Sequence, residues 1–336
     1  MTVPVLACFN NKGGVGKTSL VYHLAWMLSE SGHRVLACDL DPQANLTSMF
    51  LEEDRLENVF AQDDESSSPA AGTIFGCVRP LMEVGDLRSP ALQEITGELR
   101  LIPGDLALAG FEDTLSAEWP NALRESNRKR PFRILTAFFT VMQDGASQMD
   151  ASIVLADVGP NLGAINRSAL LATDHVVVPV GADLFSLRGL QNLGPTLQSW
   201  RTGWQQRLAN WPDPDFDLPD GRMNPIGYVV QQHGVRLSRP VKAYDKWVNR
   251  MPKGYAKSLL GDDRGPYSRT PADDQNALAT IKHYRSLVSL AQEAHKPVFS
   301  LTAADGAIGG HAAAVSGAHS DFRALAETIT QKIEEL

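Results

Sequence analysis

Apolar residues follow two spacings that alternate along the chain. Val3-Pro4-Val5-Leu6-Ala7-Cys8-Phe9 is an unbroken apolar run, bounded by Asn10-Asn11 and then glycines. A parallel strand buried on both faces has this pattern. From Thr18 the interval lengthens. Leu20, Val21, Leu24, Ala25 and Leu28 recur at helical spacing, and Gly32 supplies a stop. Arg34-Val35-Leu36-Ala37-Cys38 predicts a second strand, which runs into Asp39-Leu40-Asp41-Pro42. Strand, glycine loop, helix, strand is a right-handed βαβ unit and implies a parallel sheet. Further strands are predicted at Leu99–Ile102, Ser152–Ala156, His175–Val180, Ile226–Val230 and Pro297–Leu301, with helical stretches between most of them. The expected fold is α/β: a doubly wound, mostly parallel sheet of about seven or eight strands. Ligands of such sheets bind beyond the carboxyl ends of the strands. The glycine loop, Asp41 and Asp157 each follow the end of a predicted strand.

Three segments interrupt the alternation. Residues 61–72 are polar and acidic and read as a mobile insertion. Residues 203–225, rich in Pro, Asp and Trp, read as a long connection, and the Gly/Ala-rich residues 303–318 as a loop. The expected organisation is one domain over residues 1–336, with an insertion or extended helical segment at 203–280. A chain of 336 residues with 43% apolar composition can build a large core. The three cysteines, Cys8, Cys38 and Cys77, lack C-x-x-C spacing, which argues for a reducing cytoplasm and against a zinc or iron–sulfur site. No signal peptide or membrane span is predicted.

The loop Lys12-Gly13-Gly14-Val15-Gly16-Lys17-Thr18 carries the first chemistry. A phosphate cradle needs residues without Cβ, so that the backbone can curl and aim N–H groups inward. Gly13, Gly14 and Gly16 supply this, and the helix that follows adds its positive end. Lys17 places a charge on the β/γ-phosphates and the Thr18 hydroxyl can ligate Mg²⁺, with Val15 and Ser19 completing the binding segment. The strict G-x-x-x-x-G-K-[ST] pattern would have Gly at position 11, where this chain has Asn11. Lys12, at the start of the loop, is poorly placed to turn into a site that Lys17 already serves. It is better placed to reach a nucleotide on a facing subunit, as an arginine finger does. Either Asp39 or Asp41 should orient the attacking water or hold a Mg²⁺ water. Spacing does not choose between them; Asp41 lies nearer the loop and is favoured. Asp157 fits the strand-end carboxylate that bonds a Mg²⁺ water, with Val158-Gly159-Pro160-Asn161 as a switch loop and the Gly159 amide facing the γ-phosphate.

These residues resemble the ParA/MinD family of deviant-Walker ATPases, most nearly its short Soj-like partition branch. The resemblance rests on K-G-G-V-G-K-T-S at 12–19, D-L-D-P-Q-A-N at 39–45, Leu101–Gly110, Asp157–Leu171, Val178-Pro179-Val180 and Phe185-Ser186-Leu187-Arg188-Gly189. It covers residues 3–200 and returns at about 284–336. It implies a SIMIBI-like fold and an ATP-dependent sandwich homodimer, with Lys12 as the signature lysine, Asp41 as the switch I aspartate needed for hydrolysis and Asp157 as the Mg²⁺-linked aspartate. It also implies non-specific DNA, a ParB-like or other stimulating partner, and adenine contacts near Lys282, His283 and Tyr284. Two features depart from the pattern: Asp157-Val158-Gly159-Pro160 replaces the usual D-x-P-P or D-x-P-A, and 203–280 is longer than in compact members. No helix-turn-helix extension precedes the loop, as in the short branch.

Charge then points to a DNA surface. Between Arg236 and Lys257 lie seven basic residues and one acid, Asp245, so the stretch carries +6 on a chain of net charge −8 and the remainder carries −14. Pro240 suits a helix start, and Pro252 with Gly254 a stop. Lys242, Lys246 and Arg250 then share one helix face beside Arg239, as sequence-independent phosphate binding needs. A solvated basic face is the alternative. A second cluster at Arg124, Arg128, Lys129, Arg130 and Arg133 reads as a solvated face or loop. The C-terminal helix is amphipathic but acidic at its tip. It is expected to pack on the sheet rather than lie in a membrane.

Overall fold

The computed structural model describes residues 2–64, 68, 70–231, 241–282, 284 and 286–336, with backbone alone at 64, 241–243 and 286. Eight strands, β1 Val5–Cys8, β2 Val35–Asp39, β3 Gln93–Glu94, β4 Leu99–Ile102, β5 Ile153–Asp157, β6 His175–Gly181, β7 Asn224–Gln231 and β8 Ala277–Ile281, form a sheet of order β8-β7-β6-β1-β5-β2-β4-β3. β2 pairs in parallel with β4 and β5, and β7 with β8; short β3 is antiparallel to β4. The sheet is mostly parallel, as the alternating apolar spacings predict.

The chain divides into two compact units. The first comprises Met1–Ala7, Leu28–His175 and Leu197–Asn224. Every residue of β2 and β5 in it is buried, as the unbroken apolar runs require. The helix Ala137–Met149 adds Phe138, Val141 and Met142 to this core. Each such side chain contributes about 1.5–3 kcal/mol by leaving water. The second unit comprises Cys8–Met27, Val176–Thr196 and Pro225–Leu336. Its core joins Val176–Val178 and Val180 of β6 to Tyr228–Val230 of β7, and to Leu20, Leu24 and Met27 of helix Lys17–Glu30. The C-terminal helix Gly310–Glu334 packs on β8 through its second half, where Phe322, Leu325, Ala326 and Ile329 are buried.

Several predicted boundaries are corrected. Pro297–Leu301 is not a strand: Val298–Ser300 is a 3-10 turn between extended residues. The edge strand on that side is β8, which lies almost wholly inside the expected insertion. Residues 303–318 are not all loop, because the C-terminal helix starts at Gly310. The helix that begins at Leu184 runs to Asn210, so the connection is shorter than 203–225. Residues 61–64 end the helix Glu53–Asp64 rather than open a loop. Pro252 does not stop a helix. A helix at Val241–Val248 ends first, and Pro252 lies in the first turn of a second, Met251–Leu259, where a missing N–H costs nothing.

Candidate nucleotide site

The glycine loop belongs to the second unit and is anchored at its entrance. The Asn10 side chain is fully buried; its Nδ2 donates to the Pro179 carbonyl at 2.8 Å and its Oδ1 accepts from the Lys12 N–H at 3.0 Å. Gly189 lets the following helix come close. A Cβ there would stand 2.9 Å from Asn10 Oδ1 and 3.1 Å from Asn11 Oδ1. Gly14 and Gly16 have φ of 70° and 76°, the left-handed region that favours glycine. Gly16 is pinned from outside the loop. Gln231, the last residue of β7, donates from Nε2 to the Gly16 carbonyl at 3.1 Å, and a Cβ on Gly16 would lie 2.0 Å from Gln231 Oε1. Among the described residues, no hydrogen bond leaves the N–H groups of Gly13, Gly14, Val15 or Gly16. That is the donor cradle a polyphosphate requires.

The two lysines of the loop have different partners. Lys17 is buried, and its Nζ lies 3.4 Å from the Lys12 carbonyl, over the loop. Lys12 turns the other way: its Nζ is 2.5 Å from Asp183 Oδ2 and 3.3 Å from Ser186 Oγ. Burial alone would raise the Asp183 pKa, but the Lys12 hydrogen bond and charge, with the Ser186 and Phe185 N–H groups, hold it below the usual carboxylate range. Thr18 is half-buried and Ser19 exposed. One turn on, His23 is buried, with Nδ1 2.6 Å from the Ser19 carbonyl. Its Nε2 accepts from the Val298 N–H at 3.2 Å, and its ring stacks on Phe322 at 4.7 Å. Burial lowers its pKa to about 4.

The carboxylates lie in the first unit. Asp39 and Asp157 are register partners at the ends of β2 and β5, and both are fully buried. Asp39 accepts from the Thr47 N–H at 2.8 Å, the Thr47 hydroxyl at 2.7 Å and the Asp41 N–H at 3.2 Å. Burial pushes its pKa up, against those bonds. Asp39 therefore fixes the chain that leads into the helix Asn45–Phe50. Asp41 is nearly buried and accepts from the Gln43 N–H at 3.1 Å. Its Oδ1 lies 3.1 Å from where a Cβ on Gly159 would stand, so Asp41 adjoins the loop after Asp157. That loop is tied down by buried Asn166, whose Nδ2 donates to the Gly159 carbonyl at 2.8 Å and the Asn161 carbonyl at 2.7 Å. Glu112 accepts from the Ala164 and Ile165 N–H groups at 2.5 and 2.8 Å.

Thus Lys12, Gly13, Gly14, Val15, Gly16, Lys17, Thr18 and Ser19 are gathered in one unit, and Asp41, Asp157 and Gly159 in the other. Asp183, Gln231 and Glu112 escape sequence reasoning, and Ser186 and Asn166 entered it only as part of quoted motifs, without a role. Asp183 alone left a local signal, as a capping residue just before a helical run; the Ser186 N–H donates to it at 2.9 Å.

The structure describes only some of the residues expected to bind DNA. Arg239 lies outside the described residues, and at Lys242 only the backbone is described. Lys246 is exposed near the Trp247 ring, and Arg250 stands over the same ring in the break between the two helices. A continuous helical face through Lys242, Lys246 and Arg250 is therefore corrected: the helix ends at Val248. In the second cluster Lys129, Arg130 and Arg133 form ion pairs with Asp215, Glu118 and Asp86. The expected adenine segment has Tyr284 bonded to Asp321, with Lys282 exposed and His283 outside the described residues. The three cysteines are buried and none of them forms a disulfide. No helix of the described residues is long and apolar enough to cross a membrane.

A strand-edge phosphate loop followed by strand-end aspartates defines the P-loop nucleotide-binding class, and comparison with known proteins agrees. A family model described as an AAA domain, AAA_31, matches residues 3–209. The chromosome-partitioning ATPase Soj of Thermus thermophilus is 32% identical over 60% of this chain and 65% of its own length. The chromosome partitioning protein ParA of Caulobacter vibrioides is 30% identical over 61% of this chain and 66% of its own. The matches span less than two thirds of these relatives. A protein of Corynebacterium diphtheriae has a similar fold, with TM-score 0.69 at 22% identity over 98% of this chain and 99% of its own. So has an ATP complex of a McdA variant from Cyanothece, with TM-score 0.59 at 17% identity over 98% and 97%. The chain belongs to the AAA_31 family and, within it, to the ParA/MinD group of P-loop ATPases.

Proposed function

We propose that the chain is a ParA-like ATPase that hydrolyses ATP as a sandwich homodimer and couples its nucleotide state to non-specific DNA binding, for DNA segregation or cargo positioning. The opposite orientation of the two loop lysines carries this reading. Lys17 closes over its own loop, while Lys12 is held away from it by Asp183. Lys17 and the free N–H groups of the loop bind the β/γ-phosphates. Lys12 leaves Asp183 to meet the charge that develops on a partner subunit's γ-phosphoryl group. Asp41 orients the attacking water as the bond to the leaving oxygen breaks, and the Gly159 amide faces the γ-phosphate. The donor set suits a hard cation: a threonine hydroxyl and carboxylates are oxygen ligands. Thr18, Asp41 and Asp157 would hold Mg²⁺, directly or through its water; when bound, the ion neutralises phosphate charge. Relatives named as partition proteins support the DNA role, as does the net charge of +6 between Arg236 and Lys257. A ParB-like protein is the expected stimulating partner.

The break between Val248 and Met251 favours a second reading: an ATP-dependent scaffold or switch that acts on a partner without DNA. Phosphate release and DNA retention over a salt series, with and without ATP, separate the two. The first reading requires that Lys17→Ala loses ATP binding and that Lys12→Ala keeps binding but loses turnover. DNA retention must also fall with salt and appear with ATP. No retention in any nucleotide state selects the scaffold, and full turnover in Lys12→Ala removes the sandwich mechanism.

A further inference from the structure

The helix Ala164–Leu171, which follows the Asp157 loop, begins without a local cap. Gly163 occupies the N-cap position with extended backbone and no side chain to offer. A helix start leaves N–H groups unsatisfied and carries partial positive charge. Here both are met from a distance. The two oxygens of Glu112, 52 and 53 residues away in sequence, each accept one N–H, from Ala164 and Ile165. Charge-assisted bonds of this kind are stronger than neutral ones. Gly163 makes room for the carboxylate, because a Cβ there would stand 2.6 Å from Glu112 Oε1. Glu112 opens the helix Glu112–Asn121, and Trp119 of that helix takes the Arg167 guanidinium over its ring, 4.2 Å from the centroid. The two helices are thus held to each other at two points, the start and the middle of the helix 164–171. From the helix start, Asn166 reaches back to the Gly159 and Asn161 carbonyls.

We propose that Glu112 is a positioning residue for hydrolysis. By setting where the helix 164–171 begins, it sets Asn166, and through Asn166 the Gly159 backbone beside Asp41. This rests on the ATPase reading, but one part of the test is independent of it. In the full-length protein, Glu112→Ala is expected to lower kcat on the order of tenfold while KM for ATP changes by less than about twofold, since misplacement harms the reacting geometry more than binding. Glu112→Gln keeps one acceptor and recovers part of the loss. Gly163→Ala, which crowds the carboxylate out, lowers kcat as well. The double variant Glu112→Ala/Gly163→Ala is no worse than Glu112→Ala alone, because the crowded group is gone. Multiplying losses in the double variant would overturn the proposal, as would a KM effect with kcat intact. Hydrogen exchange over residues 158–171 gives the second readout. Glu112→Ala speeds it about tenfold if the remote cap holds the helix start. Unchanged exchange with normal phosphate release in the wild type defeats the proposal alone, whereas a wild-type protein that releases no phosphate sinks the ATPase reading on which it rests.

Discussion

At the residue scale, Lys12 shows how much a motif can say and where it stops. Its position in K-G-G-V-G-K-T-S separates it from Lys17, and this was legible in sequence. Its partner was not, because Asp183 lies 171 residues away and only the fold brings them together. Asp183→Asn removes the charge that holds Lys12 and keeps a side chain of the same shape. Dimerisation with ATP is then expected at lower protein concentration, by about threefold to tenfold for a partly exposed pair. Light scattering over a concentration series checks this, and an unchanged midpoint would show that the ion pair does not oppose assembly. The same scale carries a pH prediction at His23. The folded state holds it neutral, with a pKa of about 4 against an ordinary 6.5. The stabilising effect is complete above 6.5 and is lost as pH falls towards 4, at about 1.4 kcal/mol per pH unit. Urea midpoints at pH 7 and 5 should therefore fall more in the wild type than in His23→Phe; parallel losses would mean that His23 does not carry the pH dependence.

At the scale of elements, long apolar periodicity was the reliable guide. β1, β2, β5 and β6 are buried along their length, so their composition left little room for another reading. β8 was hidden because it lies at a sheet edge and only Leu278 and Ile281 of Ala-Leu-Ala-Thr-Ile are buried. Pro297–Leu301 misled for the opposite reason: Val298, Phe299 and Leu301 are buried, but burial alone does not make a strand. The helix Met251–Leu259, which carries Lys253 and Lys257, lies against the helix that Asp183 caps. A Cβ on Gly194 would stand 1.7 Å from the Ser258 carbonyl, and one on Gly254 would stand 2.4 Å from Leu187 Cδ1. Gly194→Ala must push the two helices apart, at a cost of about 1–3 kcal/mol. DNA retention with ATP is expected to weaken while binding of a fluorescent ATP analogue persists. Equal loss of both would point to general unfolding instead.

For the whole molecule, the glycine loop belongs to one compact unit and Asp41 and Asp157 to the other. The sequence made the class of fold legible through its βαβ rhythm. It could not show the division, which depends on packing density rather than on any local pattern. The dimer reading makes its own prediction. Sedimentation of Asp41→Ala with ATP and Mg²⁺ should give a species of twice 36.5 kDa. Adding Lys12→Ala should return it to one. A stable dimer in the double variant would mean that assembly does not depend on the lysine.

Trp119 gives the molecule a built-in optical probe. Its ring lies between two guanidinium groups, with Arg167 on the helix after the Asp157 loop and Arg207 3.5 Å from the ring centroid, donating from Nε to the Trp119 carbonyl at 2.8 Å. Indole emission depends on nearby charge, so any shift of the helix start held by Glu112 changes what this ring senses. The chain has six tryptophans, and subtracting the spectrum of Trp119→Phe from that of the wild type isolates this one. Movement of the loop could then be followed in real time without attaching a label.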